Sequence, residues 1–317
     1  MSTGASSVAP QPAARTDFYK EIRRNKWRTF LILASFVVLI VIAGIAVDLL
    51  LGFGIAGVVI AFVVALGLAF ISYFNSDKIA LMVTGAKPAD GPEYQRYHNV
   101  VEGLCIAAGL PKPRLYVIQD SAPNAFATGR NPKHAALAVT TGLLQVMNRV
   151  ELEGVVAHEL SHVKNYDILA STVAVTAVGT IALLSDIGLR FWIFGGRSRD
   201  DSNNAGPAGA VIAIIAIAFL VLAPVAAQLM QFAMSRKREL LADATGVQLT
   251  RYPPGLLSAL KKLQTDKAVV HHATRATAQL WIESPLDREG DKKGAWLNRL
   301  FDTHPPLDER IKILESM

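Results

Sequence analysis

The sequence has little charge and almost no cysteine. Asp, Glu, Lys and Arg make up 18% of the 317 residues, apolar residues make up 51%, and the mean hydropathy is +0.33. This composition is too apolar for an ordinary soluble chain of this length. The single cysteine, Cys105, excludes an internal disulfide and a cysteine-based metal cluster, and we expect it to be a small buried apolar residue.

Charged residues are missing altogether from four long runs. Each run is long enough to cross, or nearly cross, about 30 Å of hydrocarbon, so we predict membrane helices arranged as two hairpins. A G-x-G-x-x-G pattern at residues 52–57 lies between two of these runs with no strand before it, and we therefore expect no nucleotide site there. The charge-free runs are residues 30–47, 49–76, 168–185 and 205–235.

The basic residues gather beside these runs. Six precede the first run, Arg236, Lys237 and Arg238 follow the last, and the link between the first two runs has none. By the positive-inside rule, this pattern predicts that both termini are cytoplasmic, although three arginines in the outer loop at 190–199 oppose it mildly. The net charge of +6 is thus explained by the membrane, and we expect no nucleic-acid partner.

One short segment carries the chemistry. Residues 158–162 read His-Glu-Leu-Ser-His within an apolar helical run, so His158 and His162 share a helix face and can bind one metal ion. Glu159 lies beside the open coordination position, where a carboxylate can deprotonate a metal-activated water for attack on a peptide carbonyl. The alternative is two surface histidines beside a glutamate, which is this motif's usual false positive.

The motif is predicted to lie at the membrane surface. Its helix, from 149 to about 167, runs almost straight into the third charge-free run, so roughly 9 Å separates His162 from the bilayer edge. Glu239 follows the fourth run at a matching distance, and two histidines with one glutamate form a catalytic zinc site. Asp243, four residues further on, can orient a ligand imidazole.

A predicted hairpin before this helix is a candidate for substrate contact. Strands are expected at 113–119, 124–128 and 135–141, with the turn of the hairpin at 129–133. The hairpin could offer its edge to an extended peptide, or it could be purely structural. The candidate edge residues are Asn124, Ala125, Phe126 and Ala127.

Two residues near the C-terminus are candidates for stabilising an oxyanion. His304 and Arg310 could place a donor over the scissile carbonyl. His304 could equally be a third ligand or a capping residue, and Arg310 could be structural.

Three segments, 158–162, 235–243 and 303–310, stand in the order found in a known family. The chain resembles the HtpX-type membrane zinc metalloproteases, gluzincin-like bacterial relatives of the eukaryotic CAAX prenyl endopeptidase. The resemblance implies one Zn²⁺ per chain, held by His158, His162 and Glu239, in a catalytic domain on the cytoplasmic face of the bacterial inner membrane. It also implies that damaged or misfolded membrane proteins are cut in a stress response, as protein quality control.

We therefore expect a mainly α integral membrane protein with four transmembrane helices and a cytoplasmic α+β zincin-like domain containing a small β-sheet. Two other functions fit less well. A membrane metal transporter would place its ionisable groups inside the spans, whereas the metal set here lies outside them. A catalytically silent adaptor would not need Glu159. Expected partners are membrane protein substrates and the bilayer; the sequence allows an oligomer but does not determine the oligomeric state. The expected parts are a disordered tail (1–17), a basic lead-in and first hairpin (18–76), the first catalytic part (77–167), the second hairpin (168–234) and the second catalytic part (235–317).

Overall fold

The computed structural model describes residues 13–51, 54–195, 236–266, 268, 270–271, 277–283 and 305–317. Helices dominate these residues, and a small sheet lies among them. The helices are α1 (Ala13–Leu51), α2 (Ile55–Val83), α3 (Gln95–Ala108), α4 (Thr141–Val146), α5 (Arg149–Lys164), α6 (Asp167–Gly195), α7 (Arg236–Thr250), α8 (Pro253–Thr265) and α9 (Leu307–Glu315). The strands are β1 (Lys87–Pro88), β2 (Arg114–Ile118), β3 (Ala125–Gly129) and β4 (Ala135–Thr140).

Helices α1 and α2 form a hairpin that matches the first predicted pair of spans. Both contain a stretch long and apolar enough to cross a membrane, at Ile22–Ile42 and Ile55–Val83. The two helices approach closely, because a Cβ added to Gly44 would collide with the Cβ of Ala61. The outer face of α2 leaves large apolar side chains exposed, such as Ile60 at 63%. Such a surface suits contact with lipid better than contact with water.

Helix α6 packs against this hairpin. Its residues Leu169 and Val173 are buried with Ile32 of α1, and Ala177 is buried with Phe36 of α1. Its Asp167–Ile181 portion is a shorter apolar helix. The fourth predicted span, 205–235, lies outside the described residues, as does most of the N-terminal tail. Among the described residues, two helices therefore have the length and composition of a membrane span.

The sheet has the strand order β1-β2-β4-β3, which places β3 at one edge. Strands β2 and β4 are parallel, whereas β3 and β4 form an antiparallel hairpin. The three predicted strands agree closely with β2, β3 and β4, whereas β1 has only two residues and too little alternation to be predicted. One face of the sheet packs on the helix α5, and Leu137 and Val139 share a buried cluster with Leu152 and Val155. This packing fixes α5 directly behind the edge strand.

Helix α5 begins with a capping box and ends earlier than the sequence predicts. Asn148 and Glu151 satisfy each other's backbone N–H groups at its start. The expected continuous helix into the third span is wrong, because α5 ends at Lys164 and Tyr166 has a left-handed φ of 60°. The Asn25 amide of α1 donates to the Asn165 carbonyl at 2.8 Å and to Asp167 Oδ1 at 2.6 Å. These two hydrogen bonds stabilise the break between α5 and α6 and hold the Asp167 side chain.

Replacing Gly154 is expected to destabilise the contact between α5 and α8. A Cβ at Gly154 would lie 2.6 Å from the Leu256 nitrogen and 2.7 Å from its Cα, so backbone must shift. We expect Gly154→Ala to lower the free energy of unfolding by about 1–3 kcal/mol, and the thermal midpoint should fall with it. Gly103→Ala in α3 is the matched control, because its Cβ would meet nothing within 4 Å. That control should be neutral or stabilising by about 0.5–1 kcal/mol, and equal midpoints in the two variants would contradict the close packing.

Candidate metal centre

Two histidines on α5 present their ring nitrogens to one point. His158 Nε2 and His162 Nε2 are 3.2 Å apart, and the two rings are nearly perpendicular at 87°. Their spacing of four residues places both rings on one helical face. Both side chains are buried, so the two nitrogens face an enclosed space and not bulk water.

Glu239 on α7 completes the group. Its Oε2 lies 3.5 Å from His158 Nε2, and its Oε1 lies 3.5 Å from His162 Nε2. Helix α7 lies close to α5 because Gly246 has no side chain there: an added Cβ would be 3.0 Å from the His158 backbone nitrogen. Ligand atoms of His158, His162 and Glu239 all lie within 4.8 Å of one another.

A buried carboxylate orients each imidazole. His158 Nδ1 lies 2.8 Å from Asp243 Oδ1, and His162 Nδ1 lies 3.0 Å from Asp167 Oδ2. When both imidazoles are neutral and donate their Nδ1–H groups to these carboxylates, as metal binding requires, both Nε2 atoms carry lone pairs beside the Glu239 carboxylate. Two imidazole nitrogens and one carboxylate that converge on one point are the ligands of catalytic zinc sites, so the residues present fit a metal ion.

Asp167 is a site residue that sequence reasoning missed. On an unbroken helix, a residue five positions after His162 would lie off its face, so no pairing was expected. The left-handed Tyr166 turns the chain back and brings the Asp167 carboxylate to the imidazole. The Arg238 guanidinium, from the basic segment before Glu239, also lies 3.2 Å from Asp167 Oδ1.

Arg310 lies behind the ligands and does not reach the substrate side. It is fully buried, and its Nε and Nη2 donate to the two oxygens of Asp243 at 2.8 and 2.7 Å. Its Nη1 donates to the Ile282 carbonyl at 3.0 Å. The predicted substrate contact by Arg310 therefore needs correction, because the guanidinium is committed to the carboxylate that orients His158. His304, the other C-terminal candidate, lies outside the described residues.

The charged groups around the ligands shift one another's ionisation. Burial disfavours the ionised form of Asp243, but the Arg310 guanidinium and His158 outweigh it and lower the pKa of Asp243 to about 2. Burial raises the pKa of the Glu159 carboxyl, and the nearby His158 and His162 oppose that rise. Asp243 is thus a permanent anion behind His158, whereas Glu159 holds a proton more readily than an exposed glutamate.

The ligands and Glu159 line a small cavity of about 10 Å³, which is room for a single water-sized occupant. Residues 279–282 form one wall and Ala127 of β3 lies opposite the helix. The Ile282 N–H donates to the Ala125 carbonyl at 2.9 Å, and the Asn124 amide donates to the Glu283 carbonyl at 3.0 Å. Trp281 packs edge-on against Phe126, with ring centres 4.9 Å apart. Of the predicted edge residues, Ala127 therefore borders the metal centre, and the other three contact a segment that sequence reasoning did not single out.

Comparison with known proteins finds relatives over nearly the whole chain. Residues 93–317 match Peptidase family M48. A protease HtpX homolog of Lactobacillus acidophilus is 44% identical over 303 residues, covering 94% of this chain and 99% of that protein. A protease HtpX homolog of Thermoanaerobacter pseudethanolicus is 42% identical over 306 residues, covering 96% and 99%. The crystal structure of S. mikatae Ste24p is 18% identical with a TM-score of 0.47; the match covers 95% of this chain and 66% of that one.

Proposed function

The chain belongs to peptidase family M48, and on this basis we propose that it is a zinc endopeptidase that cuts damaged or misfolded membrane proteins at the cytoplasmic face of the bacterial inner membrane. The observation that carries the proposal is the convergence of His158, His162 and Glu239 beside Glu159. This centre lies next to the start of α6, which packs against the apolar hairpin of α1 and α2. Such a position gives access to chains at the membrane surface.

Zinc is the metal that this donor set supports best. The separation of 3.2 Å between the two Nε2 atoms is close to the roughly 3.3 Å expected for a tetrahedral ion with bonds of about 2.0–2.1 Å. Two imidazoles, one carboxylate and a free fourth position are typical of catalytic zinc sites. When bound, zinc supplies a Lewis acid that acidifies water and polarises the substrate carbonyl.

Glu159 is the residue placed to move protons. It borders the cavity without belonging to the three-residue ligand group, so its carboxylate is available to the attacking water. We assign it the transfer of a proton from that water to the leaving amine nitrogen. Asp243 and Asp167 hold the two imidazoles in place during this transfer.

An extended substrate would lie along β3, from Asn124 to Ala127. This strand is at the sheet edge, and its Ala125 carbonyl already accepts a main-chain hydrogen bond from Ile282. Main-chain pairing binds a peptide with little demand on its side chains, which suits a protease that acts on many damaged sequences. Residues 279–282 already occupy this edge through the hydrogen bond from Ile282 to Ala125, so a peptide that pairs with the same part of β3 has to displace them.

Ile282→Pro tests whether this segment competes with substrate. Proline has no N–H, so the hydrogen bond to the Ala125 carbonyl is lost. The preceding residue, Trp281, has a φ of −77° and a ψ of 147°, which suit a residue before proline. The lost hydrogen bond is worth about 0.5–1.5 kcal/mol, so its removal should raise the rate of cleavage of an unstructured fluorogenic peptide about two- to tenfold. Ile282→Val keeps the N–H and is the control. Equal rates in the two folded variants would mean that the segment does not compete.

The proposed orientation puts the C-terminal helix α9 in the cytoplasm. Cys105 is buried, and burial raises the pKa of its thiol to about 11, so it should not react at neutral pH. Lys312 is exposed on α9, so Lys312→Cys should react with a membrane-impermeant maleimide in inverted vesicles and not in spheroplasts. The unsubstituted chain gives the background. The opposite labelling pattern would place α9 outside the cell.

The substrate class is tested in cells. We expect Glu159→Gln cells to accumulate membrane proteins after membrane stress that cells with the unsubstituted chain degrade. Quantitative comparison of the two membrane proteomes measures this. If the two proteomes are the same after stress, while the purified unsubstituted chain cleaves peptides, the quality-control role is wrong and the peptidase activity stands.

A further inference from the structure

A groove separate from the metal centre lies where the membrane hairpin meets the sheet. It has a volume of about 910 Å³ and is bounded by α1, the turn between β3 and β4, and the segment after α3. Its lining combines two kinds of side chain. The basic ones are Lys26, Arg130 and Lys133, and apolar ones include Phe30, Leu33 and Leu169.

The basic side chains of the groove are available to an anion. Among the described residues, no carboxylate forms an ion pair with any of the three, and no described lining residue is acidic. Lys26 Nζ lies 5.2 Å from the centre of the Tyr166 ring, and Arg130 Cζ lies 5.3 Å from that of Phe74. Aromatic faces attract these cations without neutralising their charge. Three positively charged side chains therefore line one groove.

The position of the groove along α1 places it at the membrane surface. Lys26 precedes Phe30 by one turn, and Phe30 is the first residue of the charge-free run 30–47. Leu33 lies about one turn further, and Leu169 packs with it beside Ile32. Lys26 is thus expected at the level of lipid headgroups, with Arg130 and Lys133 lining the same groove, and the apolar side chains of α1 continue toward the hydrocarbon. A ligand that matches both parts has an anionic head and an apolar tail.

We propose that this groove binds one anionic phospholipid of the surrounding bilayer. Its phosphate lies at Lys26, Arg130 and Lys133, and its acyl chain lies along Phe30, Leu33 and Leu169. The site also adjoins the break before α6. Tyr166, which carries the left-handed φ, faces Lys26, while the neighbouring Asn25 donates to Asp167, the partner of His162. A bound lipid consequently stabilises the part of the chain that positions a metal ligand.

Native mass spectrometry of the full, delipidated chain in neutral detergent tests the site. Added phosphatidylglycerol should be retained as one molecule per chain at concentrations where phosphatidylcholine with the same acyl chains is not. Replacing Lys26, Arg130 and Lys133 together by Gln should weaken phosphatidylglycerol binding about a hundredfold, since each cation near a lipid surface is worth about fivefold. The control replaces Lys87, Arg149 and Lys312, which are exposed outside the groove lining, with the same change in net charge.

Several results would overturn the proposal. Equal retention of the two lipids, or equal weakening by the control variant, would mean that no anion-selective groove exists. Competition by inorganic phosphate as strong as that by intact phosphatidylglycerol would mean a phosphate site and not a lipid site. If the triple variant does not fold, Lys133→Gln alone, in the exposed turn, should still weaken binding about fivefold, and unchanged binding would contradict the proposal.

Discussion

Glu159→Gln is expected to stop peptide-bond hydrolysis while leaving metal binding intact. The side chain borders the cavity beside His158 and His162 but is not one of the three converging ligands. Glutamine keeps the size of the side chain and loses its ability to accept a proton. Removing a positioned general base costs about 10²- to 10⁴-fold in rate. Zinc content by elemental analysis and cleavage of a fluorogenic peptide, measured on the same sample, check both halves of the prediction.

A neighbouring glutamate gives the control for this experiment. Glu153 is also on α5 but lies toward solvent, paired with Arg149 at 3.0 Å. Glu153→Gln should keep both zinc and activity, because an exposed ion pair contributes little. A Glu159→Gln sample with a full complement of zinc and an undiminished rate would show that another group carries the proton.

Arg310→Met is expected to destabilise the protein and weaken metal binding. The substitution leaves the buried Asp243 carboxylate without its cation, which typically costs about 3–5 kcal/mol. Loss of the group that fixes a ligand-orienting carboxylate should also lower metal affinity about 10- to 100-fold. Thermal unfolding and a competitive zinc titration measure the two effects.

A double variant separates this role from substrate contact. Arg310→Met with Asp243→Asn should be more stable than Arg310→Met alone, because the uncompensated buried charge is gone. If Arg310→Met instead kept its stability and zinc affinity and lost only its turnover rate, Arg310 would act on the substrate, which is one of the two roles that the sequence left open.

The local parts of the site follow from sequence because they depend on helical and strand periodicity. The spacing of His158 and His162 requires only that α5 be a helix, and the alternation around Ala125 and Val139 requires only that they lie in strands. Glu239 could be proposed as a ligand because two predicted membrane runs separate it from the motif. Two such runs form a hairpin, which returns the chain to the membrane surface where the motif lies. These inferences use distances that one or two regular elements determine.

The remaining parts depend on contacts between distant segments. Asp167 reaches His162 only because the chain breaks at Tyr166, and Asn25, about 140 residues earlier, supports that break. Arg310 reaches Asp243 across 67 residues of chain. Residues 279–282 have neither a motif nor a clear period, yet they wall the cavity. No single-sequence pattern encodes such pairings, because each results from how the elements pack.

Zinc titration of the chelated, full-length protein, with peptide cleavage as the readout, tests the central claim most directly. The ligand set His158, His162 and Glu239 predicts that activity is absent without metal, rises linearly and reaches its plateau at one zinc per chain. Glu239→Ala should show no such stoichiometric rise. Full activity in the chelated protein, or the same titration curve in Glu239→Ala, would contradict the account.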